Sequence, residues 1–148
     1  MADTLGAHTD PTRAGALPVA AFVGDIVNRI DPQATLLEVA DALAAAEVGA
    51  LLIAERDSAH AIVSERDLVH ALASRQDPAT TTAGDIGHTK LIWCDINATV
   101  GEVALKMMEA YVRHILVDED GRLAGIISAR DLLGAYAADE LARSDDDW

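Results

Sequence analysis

The sequence has little cysteine, few aromatic residues and no long apolar run. Its single cysteine, Cys94, cannot form an intrachain disulfide, and its apolar surroundings in residues 91–94 favour a small buried side chain over a reactive thiol. Only 3% of the 148 residues are aromatic while 51% are hydrophobic, so a packed interior must be aliphatic. No apolar run approaches the ~20 residues of a membrane helix, and residues 1–11 lack the pattern of a secretory signal. We therefore expect a soluble, cytoplasmic protein.

Basic residues are also scarce. Eleven lysines and arginines face 25 aspartates and glutamates, which gives a formal net charge of −14. A surface this acidic repels phosphate backbones and anionic lipids, so we expect neither nucleic acid nor membrane as a partner. A small anionic ligand is compatible with this charge only where cations are concentrated locally.

Signatures of catalysis and metal binding are missing as well. The sequence contains no G-x-G-x-x-G, no Walker-type phosphate loop and no H-E-x-x-H, and its five histidines lack metal-ligand spacing. A triad of Ser64, His60 and Asp67 can be assembled on paper, but nothing in the sequence activates the serine. We expect no enzyme activity, no metal site and no required cofactor.

What the sequence does contain is an internal repeat. Residues 31–40 (DPQATLLEVA) recur as 95–104 (DINATVGEVA), and residues 62–68 (IVSERDL) recur as 126–132 (IISARDL). Both pairs are separated by 64 residues, so the two blocks align without a gap. Self-similarity at a fixed separation indicates a duplicated structural unit.

Each copy predicts the same order of elements. Thr35 and Thr99, each followed by a glutamate three residues later, form capping boxes that mark helix starts. Apolar residues then recur at helical spacing, and the short apolar runs 50–54 and 115–117 predict buried strands. The remaining predicted elements are the turns 55–58 and 119–121, the strands 61–63 and 125–127, and helices starting at Ser64 and Ser128.

The predicted fold is α/β (α+β), with two β-α-β-β-α repeats packed as a pseudo-two-fold pair. Each repeat has an apolar sheet face that it cannot cover alone, and sheet-to-sheet packing would bury both faces. A further match, Gly24-Asp25-Ile26 with Gly84-Asp85-Ile86, is separated by only 60 residues, which predicts four extra residues before the second copy's first strand. The predicted segments are an N-terminal extension (1–22), repeat 1 (23–73), a polar linker (74–83), repeat 2 (84–138) and an acidic C-terminal tail (139–148).

This pattern of a Gly-Asp-Ile lead, a Thr-capped helix and a hairpin ending in Ile-Ser-x-Arg-Asp resembles the CBS domain. The resemblance covers about 23–138 and implies a stand-alone tandem pair. It implies a regulatory, energy-sensing module that binds AMP, ADP, ATP or S-adenosylmethionine between its repeats and signals to an unknown partner protein, commonly as a homodimer. Ala-rich helix faces at Ala42 and 44–46 suit a homodimer. The alternative is a ligand-free scaffold that acts through dimerisation or protein–protein interaction.

A Ser-x-x-Asp motif stands in both copies where a strand passes into a helix: Ser64 with Asp67, and Ser128 with Asp131. Unpaired N–H groups and the positive dipole end of a helix suit an anion, and an ionised aspartate accepts hydrogen bonds from a ribose diol. The same spacing also caps helices, and the two roles are compatible. The resemblance assigns these residues to the ribose.

Cations that could hold phosphate are concentrated in the second copy. Arg113 and His114 precede its buried strand, and Arg130 lies inside its Ser-x-x-Asp motif, whereas the first copy has Gly49 and Ala50 at the positions of Arg113 and His114. The repeats therefore differ where phosphate groups would be held. Solvated surface charge is the alternative interpretation of Arg113 and His114.

The resemblance further implies that phosphate ligands come from the repeat opposite the ribose aspartate. Asp67 and Ser64 would then share a nucleotide with the three cations of the second copy, while Asp131 would have only Arg66. We accordingly expect the site of Asp67 to be the stronger one. Apolar walls for the base, or plain core positions, are the two interpretations of Ile62, Ile92, Trp93 and Ile126.

Overall fold

The computed structural model describes residues 13–23, 27–54 and 61–146. These residues form two compact units: a middle unit, residues 27–91, and a terminal unit that combines 13–23 with 92–146. Several features singled out above lie outside the described residues, namely the first Gly-Asp-Ile lead, the turn 55–58 and His60. None of the described helices is long and apolar enough to cross a membrane.

The middle unit is a three-stranded sheet with helices packed against it. Its elements are β1 (Arg29–Ile30), α1 (Leu36–Ala46), β2 (Ala50–Ile53), β3 (Ala61–Ser64), α2 (Glu65–Ala73) and α3 (Ala83–Ile86). The strand order is β1-β2-β3, with β1 parallel and β3 antiparallel to the central β2. The helix α1 begins where predicted because Thr35 forms a complete capping box with Glu38.

The terminal unit repeats this architecture. Its elements are 3-10 turns at Ala14–Ala16 and Val19–Phe22, β4 (Trp93–Asp95), α4 (Val100–Ala110), β5 (His114–Glu119), β6 (Arg122–Ser128) and α5 (Ala129–Asp146). The sheet order is β4-β5-β6, again with one parallel and one antiparallel pair. The predicted α+β class is thereby confirmed, as is the order strand, helix, strand, strand, helix within each copy.

The two sheets correspond residue by residue at a separation of 64. The helices α1 and α4 start and end at equivalent positions, and each is followed by a residue with left-handed backbone, Glu47 (φ 54°) and Tyr111 (φ 56°). The strand registers correspond too, since the row Arg29, Leu52, Ile62 in one sheet has the equivalent row Trp93, Leu116, Ile126 in the other. Equivalent sequence blocks thus form equivalent hydrogen-bond ladders.

The segments that lead into the two sheets also follow this separation. Val19–Phe22 and Ala83–Ile86 are equivalent turns: the Val19 N–H donates to the carbonyl of Ala98 at 2.9 Å, and the Ala83 N–H donates to that of Ala34 at 2.8 Å. The four-residue insertion predicted from the Gly-Asp-Ile match is therefore wrong, because the separation of 64 continues upstream through these turns. Val19–Phe22 belongs to the terminal unit, which contains the sheet of the second repeat. Ala83–Ile86 belongs to the middle unit, which contains the sheet of the first repeat.

Both cores are aliphatic and lie between a sheet and its helices. In the middle unit, Val39 and Leu43 of α1 pack with Leu51, Ile53 and Val63 of the sheet. The core of the terminal unit contains the equivalent residues Val103, Met107, Ile115, Val117 and Ile127. Alternation along the strands places these residues on the helix side of each sheet, so the residues between them face the opposite side.

Cys94 belongs to the core of the terminal unit, which confirms the expectation that it is buried. Burial raises the pKa of its thiol above the ordinary value. We expect Cys94 to react with a thiol reagent much more slowly in the native protein than in denaturant, by about tenfold for each ~1.4 kcal/mol of free energy needed to open the core. The reaction rate is measured from the absorbance of the thiolate that the reagent releases. Equal rates in the native protein and in denaturant would contradict the burial of Cys94.

Candidate functional site

The first Ser-x-x-Asp motif joins β3 to α2 in the middle unit. Ser64 is the residue that caps α2, and the Asp67 N–H donates to its hydroxyl oxygen at 3.4 Å. In return, Asp67 Oδ2 accepts hydrogen bonds from the Ser64 N–H at 2.8 Å and from the Ser64 hydroxyl at 2.9 Å. The capping interpretation of this motif is therefore confirmed, and the hydroxyl of Ser64 is committed to Asp67.

The second oxygen of Asp67 is also occupied. His88 Nε2 contacts Asp67 Oδ1, and the imidazole is 65% exposed while Asp67 is only 6% exposed. Asp67 is the one charged residue that is buried in the described part of the chain. Both of its oxygens thus have partners within the middle unit, one from the helix cap and one from the segment that follows α3.

The second motif, in the terminal unit, has the same cap but a different environment. The Ser128 N–H donates to Asp131 Oδ2 at 2.8 Å, and the Asp131 N–H donates to the Ser128 hydroxyl oxygen at 3.1 Å. Asp131 is exposed, in contrast to Asp67. Equivalent motifs have therefore produced one covered carboxylate and one that is open to solvent.

The cations of the second copy lie close to this second motif in the fold. The Ala129 N–H, at the start of α5, donates to the carbonyl of Arg113 at 2.8 Å, and His114 pairs with Ser128 in the β5–β6 ladder. Arg113 and Arg130 are exposed, and His114 is half-buried. The terminal unit thus brings Arg113, His114, Ser128 and Arg130 together around one helix start. In the middle unit, Arg66 is exposed in the first turn of α2.

The four apolar candidates divide between the two faces of the sheets. Trp93 and Ile126 are half-buried and flank Leu116 in one row on the face away from the helices. Ile62 is half-buried in the equivalent row of the middle unit. Ile92 packs instead against the core of the terminal unit, which fits its interpretation as a core residue.

His88 is the residue that sequence reasoning missed. It lies 21 residues from Asp67 along the chain, so no local pattern connects the two. The described residues contain no group of three or more His, Cys, Asp or Glu side chains placed to hold a metal ion. The contact arises because the segment before the second copy's first strand, which contains His88, packs in the middle unit.

Comparison with known proteins agrees with this architecture. The family model described as "CBS domain" matches residues 83–138. Hypoxic response protein 1 of Mycobacterium tuberculosis is 36% identical over 56 residues, which are 38% of this chain and 39% of that protein. The match thus spans well under half of that curated relative.

Solved structures extend the likeness over most of the chain. A CBS-domain containing protein from Agrobacterium tumefaciens is 29% identical, with a TM-score of 0.76 over 80% of this chain and 98% of that one. A CBS domain protein from Pyrobaculum aerophilum, solved in complex with AMP, is 30% identical, with a TM-score of 0.69 over 82% of this chain and 99% of that one. The chain belongs to the CBS-domain family and is a tandem CBS pair.

Proposed function

We propose that this chain is a cytoplasmic regulatory sensor that binds an adenine nucleotide and signals its occupancy to a partner protein. The observation that carries the proposal is the duplicated Ser-x-x-Asp motif, which places a hydroxyl and a carboxylate at the start of a helix in both units. The similar protein from Pyrobaculum aerophilum, complexed with AMP, supports this class of ligand. AMP, ADP, ATP and S-adenosylmethionine are the candidates, each as a regulatory ligand and not as a cofactor of catalysis.

Each part of the nucleotide has proposed partners among the residues described above. Asp67 and Asp131 would accept the ribose hydroxyls, because a carboxylate has about four lone-pair sites and a cap uses only some of them. Phosphates would be held by cations near a helix start, where the dipole also favours negative charge. The proposed phosphate ligands are Arg66, Arg113, His114 and Arg130, with Ser64 and Ser128 as hydroxyl partners. The proposed base contacts are Ile62, Ile92, Trp93 and Ile126.

That the site of Asp67 is stronger than the site of Asp131 stays a prediction. One observation favours Asp67 and another favours Asp131. The family arrangement described above gives Asp67 the larger number of cations. The structure, however, shows Asp67 buried with a hydrogen-bond partner on each oxygen, whereas Asp131 is exposed. Calorimetric titration of AMP into Asp67→Asn and, separately, into Asp131→Asn decides between the two carboxylates, because the variant that loses more affinity identifies the carboxylate that contributes more to binding.

Thermal unfolding in the presence of nucleotides tests the proposal. A ligand at 100 times its Kd adds about 2.7 kcal/mol to the free energy of unfolding, so saturating AMP, ATP or S-adenosylmethionine is expected to raise the Tm by several degrees. Guanosine monophosphate and inorganic phosphate serve as controls for general anion binding. An unchanged Tm with every adenine compound at millimolar concentration would overturn the proposal and leave the ligand-free scaffold.

The scaffold alternative draws on apolar side chains that the described units leave exposed. On α1, Ala44, Ala45 and Ala46 are exposed and Ala42 is half-buried. The exposed large side chains on α4, on α5 and directly after α4 are Leu105, Met108, Tyr111, Leu133, Tyr136 and Leu141. Surfaces of this kind are typical of protein–protein contacts.

We expect the chain to be a homodimer, with a light-scattering mass about twice the 15.6 kDa of one chain. Ala45→Glu should reduce the dimer fraction, because a charge would be placed in a close contact between alanine faces. Ala79→Glu, which adds the same charge at an exposed position between α2 and α3, is the matched control. A mass near 15.6 kDa for the parent protein at micromolar concentration would contradict the homodimer.

A further inference from the structure

The contact between His88 and Asp67 covers one of the two carboxylates that are proposed to bind the ribose. Asp67 Oδ2 is committed to the backbone and hydroxyl of Ser64, so Oδ1 is the oxygen left for a ligand, and this oxygen is contacted by His88 Nε2. A ribose hydroxyl would need the same acceptor. The imidazole therefore competes with a ribose hydroxyl for the oxygen of Asp67 that the cap leaves open.

His88 is held at this place by its backbone. Its N–H donates to the carbonyl of Ile62 at 2.8 Å, and its carbonyl accepts from the Ile62 N–H at 3.0 Å, beside the strand that leads into α2. Gly87 packs closely against the same sheet, because a Cβ at that position would clash with Ile53 Cδ1. The N-terminal end of α3 is fixed by a capping box in which hydrogen bonds from Thr82 lower the pKa of the Asp85 carboxyl. The imidazole is nevertheless 65% exposed, so it lies on the solvent side of the contact.

The sequence places no histidine at the equivalent position of the second motif. The position 64 residues before His88 is Gly24, which has no side chain to donate a hydrogen bond. Asp131 keeps its cap bond and is exposed. The position equivalent to His88 therefore differs between two motifs that share the same helix cap.

We propose that His88 is a gating residue: it occupies the ligand-binding oxygen of Asp67, and a nucleotide engages this aspartate only after the imidazole has moved away. This inference rests on the proposed nucleotide-binding function and adds to it a residue that sets affinity. The energy of the His88–Asp67 contact is subtracted from the binding energy at Asp67 alone. The two halves of the pair therefore respond to different nucleotide concentrations.

Calorimetric titration with AMP tests the gate. Removal of a competing hydrogen bond to a charged acceptor, worth ~1.5 kcal/mol or more, should tighten binding at Asp67 about tenfold or more in His88→Ala. His88→Gln should stay close to the parent, since its amide can still donate to the carboxylate. His70→Ala, which removes an exposed histidine from α2 of the same unit, is the matched control.

The double variant His88→Ala/Asp67→Asn assigns any gain to the proposed carboxylate, and far-UV circular dichroism verifies that each variant is folded. AMP binding that is tighter in His88→Ala than in the parent, and that is lost in the double variant, supports the gate. The same conclusion holds where the parent binds AMP too weakly to measure. Binding that is unchanged or weaker in His88→Ala, while the parent binds AMP, overturns the gate and leaves the proposed function intact. Absence of binding by the parent and by His88→Ala overturns both.

Discussion

Replacement of Leu51 by alanine is expected to lower the free energy of unfolding by about 2–5 kcal/mol. Leu51 is 1% exposed at the centre of the β1-β2-β3 sheet and packs with Val39, Leu43 and Val63. Alanine removes buried methylene and methyl groups and leaves a cavity that the surrounding sheet and helix only partly fill. Since a domain of this size is stable by about 5–15 kcal/mol, the loss is a large fraction of the total. Urea denaturation measures it as a lower midpoint at an unchanged m-value.

Leu37→Ala is the matched control for this experiment. Leu37 lies on α1 of the same unit, but its side chain is 53% exposed, so the same chemical change should cost no more than about 0.5 kcal/mol. Similar losses for the two variants would show that the helix-side core described here does not stabilise the middle unit.

The second large effect concerns the phosphate end of the proposed ligand. Arg113→Ala is expected to weaken ATP and ADP binding by about one to two decades, because a hydrogen bond between charged groups is worth ~1.5–3 kcal/mol. Adenosine binding should change little, since adenosine has no phosphate to lose a partner. Isothermal titration with ATP, AMP and adenosine measures this difference within one variant, which removes effects of the substitution on stability.

Arg122→Ala provides the comparison for general electrostatics. Arg122 is exposed in β6 of the same unit, at the hairpin end of the strand and away from Ser128, and it carries the same charge. A protein with a net charge of −14 repels any anion, so loss of either arginine weakens ATP binding slightly. Equal losses in the two variants, or an equal loss of adenosine and ATP in Arg113→Ala, would show that Arg113 is not a phosphate ligand.

The repeated elements were predictable because their signals are local. The capping boxes at Thr35 and Thr99 fixed the first turns of α1 and α4, and both helices begin at the following residue, as predicted. The short apolar run 50–54, which lies between Gly49 and Glu55, placed β2 almost to the residue. For β5, the prediction covered only Ile115 to Val117, while the strand extends to Glu119 through residues whose polarity hides it.

The lead segments and the gate were not predictable from local patterns. The match of Gly24-Asp25-Ile26 with Gly84-Asp85-Ile86 suggested an insertion, whereas the packing equates Ala83–Ile86 with Val19–Phe22, whose side chains are dissimilar. These two segments are equivalent because their backbones form the same hydrogen bonds to the residues before α1 and α4. Backbone hydrogen bonds impose almost no pattern on the side chains. The contact of His88 with Asp67 follows from the same packing, so it too became visible only in three dimensions.

Calorimetric titration of AMP into the parent protein and into Asp67→Asn/Asp131→Asn tests whether the chain binds an adenine nucleotide through its Ser-x-x-Asp carboxylates. Asparagine keeps the shape of each cap and one acceptor oxygen but removes the charge. We expect saturable binding to the parent and binding weaker by at least about tenfold in the folded double variant, because the ribose hydroxyls lose a charged acceptor. Binding of equal strength to both proteins, or none to the parent with AMP, ADP, ATP or S-adenosylmethionine, would contradict it.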